Sequence, residues 1–190
     1  MSQTRPEAVV IGASAGGVEA LSAILPALPE DYPLPIMVVI HLPPDRRSMM
    51  ADLFAQKCRL RVVEAEDKTQ IEPRTVYFAP PDYHLLVETD KRLSLSSEEP
   101  VLFSRPSIDV LFETAADAYG PSLIGVILTG ASSDGANGLK TVAKAGGTAL
   151  VQSPELALAQ AMPEAALALV PDAATLAPAA IADYLVKARR

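Results

Sequence analysis

The sequence predicts an α/β domain in three layers: a mostly parallel sheet with helices on both faces, and an antiparallel β-hairpin appended to it. Three observations predict this. Residues 8–11, 36–40 and 123–129 are short apolar runs without polar alternation, the signature of strands buried on both faces. Helical spacing returns between such runs, as in Val18, Leu21, Leu25 and Leu28, which share one helix face. Finally, 49% of the 190 residues are hydrophobic, enough to build one core and one domain spanning residues 1–190.

The elements follow in order. After the first strand comes a turn of small residues, Gly12-Ala13-Ser14-Ala15-Gly16-Gly17, and then the helix begun by Val18. The second strand ends at His41 and is broken by Pro43-Pro44. Met49, Met50, Leu53, Phe54 and Cys58 form the next helical stripe, with both methionines expected on its core face and Cys58 as a small buried apolar residue. Residues 61–64 and 75–78 read as strands. Residues 85–87 and 93–95 flank Thr89-Asp90-Lys91 and read as the hairpin.

Ser107 is a plausible N-cap for a helix whose buried face is Ile108, Leu111, Phe112 and Ala115, stopped by Gly120-Pro121. A glycine-containing loop over 130–138 follows the strand at 123–129, then a short helix at 139–145. Residues 148–151 read as the last strand. The remainder reads as short buried helices broken by Pro163, Pro171 and Pro178.

Composition narrows the function. Acids outnumber bases 23 to 16, a net charge of −7, and no Lys/Arg tract offers a surface to nucleic acid. No apolar stretch is long enough to span a membrane, and no signal peptide is visible, so a cytoplasmic protein is expected. Cys58 is the sole cysteine, which excludes an internal disulfide. His41 and His84 are the only histidines, too few for a zinc site built mainly from Cys and His.

In parallel sheets the ligand site lies beyond the carboxyl ends of the strands. Three polar residues stand there: Ser14, His41 and Asp134. They are a nucleophile, a base and a carboxylate, the parts that acyl transfer requires. A neutral hydroxyl is a poor nucleophile without a base. The imidazole in turn needs a carboxylate to orient it and to stabilise its protonated form. The Ala15 N–H, at the start of the following helix, is the nearest donor for an oxyanion.

A phosphate-binding loop is the other reading of the glycine turn. It fails because Ser14 replaces the second glycine of G-x-G-x-x-G and no G-K-[ST] ending is present. The nucleophile-elbow pattern G-x-S-x-G does match at 12–16, but the order Ser…His…Asp departs from the Ser…Asp…His of the α/β-hydrolases. His84 is the alternative base; its place before the hairpin favours a structural role.

Five segments, in order and over nearly the whole chain, carry a family resemblance. They are Ile11-Gly12-Ala13-Ser14-Ala15-Gly16-Gly17, His41-Leu42-Pro43-Pro44, residues 77–84 (YFAPPDYH), residues 105–112 (RPSIDVLF), and residues 125–130 continuing to Asp134-Gly135. The chain resembles the catalytic domain of CheB, the chemoreceptor glutamate methylesterase. The resemblance implies an α/β serine esterase with the triad Ser14, His41 and Asp134. It places oxyanion donors at Ala15 and in the loop containing Ala131, and it implies no metal or organic cofactor. The implied substrate is a γ-glutamyl methyl ester on a methylated chemoreceptor or related signalling protein, with glutamine deamidation as the same chemistry on another leaving group. Arg46, Arg47 and Arg105 are candidates to face an acidic receptor helix.

The sequence also departs from that family. Because the Ser14 strand begins within ten residues of Met1, no receiver domain is expected, and regulation would fall to a separate protein. Ala15 stands where the family usually has a hydroxyl residue, and Ala131-Ser132 where it commonly has Met-Gly. Two other functions stay open: a non-catalytic signalling module that binds a partner in the same cleft, and a hydrolase of a different ester or amide.

Overall fold

A computed structural model describes residues 4–43 and 49–189. Pro44, Arg46 and Arg47 lie outside the described residues. In chain order the elements are β1 (Ala8–Ala13), α1 (Gly17–Ile24), β2 (Ile36–Ile40), α2 (Met50–Ala55), β3 (Arg61–Glu64), β4 (Thr75–Phe78), β5 (His84–Val87), β6 (Leu93–Ser96), α3 (Ile108–Tyr119), β7 (Leu123–Ile127), α4 (Ala136–Lys144), β8 (Thr148–Gln152), α5 (Ala161–Leu169), β9 (Ala174–Leu176) and α6 (Pro178–Ala188).

Seven strands form one sheet in the order β3-β4-β2-β1-β7-β8-β9, and every pairing in it is parallel. β1, β2 and β7 are buried at every residue, as their unbroken apolar runs require. The alternation within β1 divides the core in two. Val9, Ile11 and Ala13 join Leu21, Ile24, Phe54 and Ile181 on one face, under α1, α2 and α6. Ala8 and Val10 join Ile108, Leu111, Phe112, Leu139 and Met162 on the other, under α3, α4 and α5. Each of these fully buried aliphatic and aromatic side chains contributes roughly 1.5–3 kcal/mol by leaving water.

The hairpin pairs Leu85 with Leu95 and Val87 with Leu93. It is less of an appendage than the sequence suggests, because Leu85, Val87 and Leu93 are buried in the α3 face of the core. α3 lies close on β1: a Cβ at Gly12 would come within 2.4 Å of Ile108 Cγ2. That closeness brings the start of α3 to the carboxyl end of the sheet.

Four expectations need correction. The strand at 148–151 is not the last; β9 pairs with β8, from Leu150 opposite Ala174 to Gln152 opposite Leu176. Pro163 breaks no helix but sits in the first turn of α5, where its missing N–H costs nothing. Met49 is 64% exposed, so only Met50 packs against the core. Cys58 is half-buried, and burial pushes its thiol up to about 11.

Chain direction explains where a ligand belongs. β2, β3 and β4 all lie on one side of β1, with β4 inserted between β2 and the edge strand β3, and the chain then crosses to β7 on the other side. The loops after β1, β2 and β7 therefore meet at the switch point of the sheet, where a crevice forms.

Candidate active site

The ladders of the three central strands run one residue past the strand ends. His41 N–H donates to Ala13 O at 3.0 Å, Ser14 N–H to Thr129 O at 2.9 Å, and Leu128 N–H to Gly12 O at 2.9 Å. Ser14 is thus held between the residues that follow β2 and β7. Gly17 N–H donates to Ser14 O at 2.8 Å, turning the chain into α1. Gly130 lies directly beside the serine: a Cβ there would stand 2.9 Å from Ser14 Cβ and 2.6 Å from Met162 Cε. Any larger residue at 130 would push into Ser14.

Asp134 is fully buried, yet its carboxylate accepts four hydrogen bonds. Oδ2 accepts from His41 Nε2 at 2.8 Å and from Ile108 N–H at 2.7 Å. Oδ1 accepts from Ser107 Oγ at 2.9 Å and from Asp109 N–H at 3.0 Å. Two of these donors are the free N–H groups at the start of α3, whose dipole also favours a negative charge there. Burial pushes the carboxyl pKa upward, but the His41 hydrogen bond and the Asp109 and Ile108 N–H bonds outweigh it and hold the pKa below its ordinary value. An ionised carboxylate has no proton to donate, so the shared proton belongs to His41 Nε2. The basic nitrogen of the neutral ring is then Nδ1. The imidazole is 14% exposed.

A reciprocal arrangement fixes the loop that carries Asp134. Asp109, in the first turn of α3, reaches back to α4: its Oδ1 accepts from Gly135 N–H at 2.9 Å and Gly138 N–H at 2.7 Å. Each helix start is therefore capped by the carboxylate from the other helix's neighbourhood. Burial raises the Asp109 pKa, the Gly138 bond lowers it, and the Asp134 charge raises it again; the net direction is upward.

Ser107 caps α3 as expected, with its Oγ accepting from Val110 N–H at 3.5 Å, but its hydroxyl proton goes to Asp134. The Ser107 N–H donates to His84 Nδ1 at 3.1 Å. That acceptor role makes His84 neutral, with its Nε2–H donated to Glu99 O at 2.9 Å. His84 is therefore a buried supporting residue behind Ser107, and the carboxylate bonds to His41 instead.

The other side of the crevice is open. Ala15 and Ala131 are exposed, and among the described residues neither N–H finds a protein acceptor. The Gly130 N–H is already bound to Ala159 O at 3.1 Å. Ser14 Oγ likewise has no protein partner among the described residues. A cleft of about 300 Å³ opens beside His41, walled by Leu42, Pro43, Ala79, Pro81 and Phe103. Arg105 lines it too, but its Nη1 is committed to Ser97 O at 3.0 Å and Glu98 O at 3.1 Å. No group of three or more His, Cys, Asp or Glu among the described residues is placed to hold a metal. None of the helices described is long and apolar enough to cross a membrane.

Of the residues expected from the sequence, His41 and Asp134 are hydrogen-bonded to each other, Ser14 and Ala15 follow the adjoining strand β1, and Ala131 lies in the loop after β7. Asp109, Thr129 and Gln152 were not foreseen. Thr129 Oγ1 donates to Ala15 O at 2.8 Å and accepts from Ala159 N–H at 2.9 Å, tying the Ser14 turn to a distant loop. Gln152 Oε1 accepts from Thr129 N–H at 2.9 Å. Thr129 and Gln152 leave one trace in the sequence, each being a polar residue at the end of an apolar run, whereas Asp109 in the first turn of α3 leaves none.

Residues 9–185 match the family model described as CheB methylesterase. A protein of Leptospira interrogans (strain 56601) is 50% identical over 85% of this chain and 83% of its own length. The protein-glutamate methylesterase/protein-glutamine glutaminase of Caldanaerobacter subterraneus subsp. tengcongensis is 41% identical over 84% of this chain, which is 45% of that longer protein. Among solved structures, the CheB methylesterase catalytic domain of Thermotoga maritima superposes with a TM-score of 0.91 at 33% identity, covering 97% of this chain and 99% of that one.

Proposed function

This chain belongs to the CheB methylesterase family, and from that premise we propose how its own residues carry out the hydrolysis. It is a protein-glutamate methylesterase, a carboxylic ester hydrolase. Its nucleophile is Ser14, its base His41, and the residue that orients and charges the base Asp134. The substrate is a γ-glutamyl methyl ester on the cytoplasmic helices of a chemoreceptor or related signalling protein.

The reaction proceeds in two halves. His41 Nδ1 takes the proton as Ser14 Oγ attacks the ester carbonyl, and the tetrahedral oxyanion accepts from the Ala15 and Ala131 N–H groups. The bond to the methoxy oxygen breaks, methanol leaves with the proton from His41, and glutamyl-Ser14 remains. Water, deprotonated by His41, attacks that acyl group; the Ser14–acyl bond breaks as His41 returns the proton to Ser14 Oγ, and the new carboxylic acid loses its proton to solvent as glutamate. Throughout, Asp134 stabilises the imidazolium, which its lowered pKa suits it to do. A glutamine amide passes through the same steps with ammonia as leaving group.

The observation that carries this reading is the fully buried Asp134 carboxylate bonded at 2.8 Å to a His41 that follows the strand next to Ser14. Incubating a methylated receptor with the protein in heavy-oxygen water tests it. Mass spectrometry should find methyl loss with one heavy oxygen in each new carboxylate. Receptor that keeps its methyl groups would contradict the reading and favour a binding module.

A further inference from the structure

Leu102 and Phe103 occupy the centre of a tight turn on the rim of the His41 cleft. Val101 and Ser104 close it with two backbone hydrogen bonds, Val101 N–H to Ser104 O at 3.0 Å and Ser104 N–H to Val101 O at 2.9 Å. Both central residues have positive φ, 46° at Leu102 and 64° at Phe103. This is the pattern of a type I′ turn, whose centre favours Asn, Asp or Gly because a Cβ is crowded there. A leucine and a phenylalanine are poor choices and leave the backbone strained. They gain no burial in return: Leu102 is 47% exposed and Phe103 104%. Neither turn chemistry nor core packing accounts for the pair.

The turn is nonetheless firmly seated. Arg105 holds the Ser97 and Glu98 carbonyls, and His84 holds Glu99 O, so the segment leading to Phe103 is tied to the network behind Asp134. Phe103 walls the cleft together with His41. Leu158, 79% exposed, lies over Gly16 in the turn that follows Ser14, where a Cβ would come within 2.7 Å of Leu158 Cβ.

We propose that Phe103 is a substrate-binding residue. It is a fixed aromatic anchor that packs on an apolar side chain of the substrate helix, three or four residues from the esterified glutamate. The assignment rests on the esterase reading above. The hydrogen-bonded segment fixes the backbone that carries the ring, so less ordering remains to be done on binding. The net charge of −7 opposes attraction to an acidic helix, leaving apolar contact to supply the affinity. It also favours departure of the product, which carries one more negative charge than the ester.

The test compares wild type, Phe103→Ala and the double variant Leu102→Asn with Phe103→Gly, using methanol release from a methylated receptor and hydrolysis of a small soluble ester. Relieving the turn should raise the Tm of the double variant. In both variants the receptor KM should rise about tenfold, well beyond any change in receptor kcat or in small-ester hydrolysis. Receptor release with unchanged KM would overturn the assignment. So would an equal loss on both substrates, or a lowered Tm in the double variant, since each marks a merely structural turn. Wild type that hydrolyses the small ester but releases no methanol from any methylated receptor would instead overturn the substrate reading, and this assignment with it.

Discussion

Asp134 is fully buried and accepts four hydrogen bonds, whereas Ala15 and Ala131, at the other end of the crevice, are exposed with N–H groups that meet no acceptor among the described residues. The carboxylate end is finished in the free protein; in the proposed mechanism the Ser14 end is completed only when a substrate oxygen arrives. Each condition serves its task. A charge that must stabilise an imidazolium has to be fixed before reaction, because reorganising it during reaction would add to the barrier. Donors for an oxyanion must stay unpaired, because any internal partner would have to be displaced.

This contrast predicts that variants at the two ends will separate activity from stability. The largest effect on activity is expected from Ser14→Ala. It removes the proposed nucleophile and no internal hydrogen bond of that side chain, so methanol release should fall by about 10,000-fold or more while the unfolding free energy stays within about 0.5 kcal/mol. Asp134→Asn should do both kinds of damage. Its amide group would face N–H donors in the site, costing about 2–4 kcal/mol in denaturant unfolding and about 1,000-fold or more in turnover.

Gly130→Ala should fall between the ends, because its Cβ would press on Ser14 and Met162. A loss of about 1–3 kcal/mol is expected from overpacking, with turnover reduced at least as severely as stability suggests. Asp109→Ala tests the reciprocal caps. Leaving the Gly135 and Gly138 N–H groups without acceptors should cost about 1–3 kcal/mol, and Asp109→Asn, which keeps an acceptor oxygen, should recover most of it.

The smallest effect is in pH. The folded Asp134 pKa lies below its ordinary value of 3.8, so ionised Asp134 stabilises the fold at higher pH, and that contribution is lost as pH falls through the folded pKa. The stability gap between wild type and Asp134→Asn should therefore narrow as acidification below about pH 4 protonates Asp134. A gap that widens in acid would mean the carboxylate is held protonated.

The same contrast explains what the sequence made legible. β1, β2 and β7 were readable because burial on both faces leaves a continuous apolar run, and the rule that sites follow such strands then selects Ser14, His41 and Asp134. β9 was not readable: two of its three residues are exposed, and its alanine-rich surroundings read as helix. Nor was the cradle of Asp134. Its backbone donors lie 26 and 25 residues earlier, at the start of α3, and only tertiary packing of α3 on Gly12 brings them to the carboxylate. Ser107 was legible as a cap, but no local pattern says that its hydroxyl serves a distant acid.

The central claim is that Ser14 supplies the reaction but none of the scaffold. Methanol release from a methylated receptor, measured beside denaturant unfolding for wild type and Ser14→Ala, tests it most directly. The account predicts two superimposable unfolding curves and release confined to wild type. Release that persists in Ser14→Ala would contradict it.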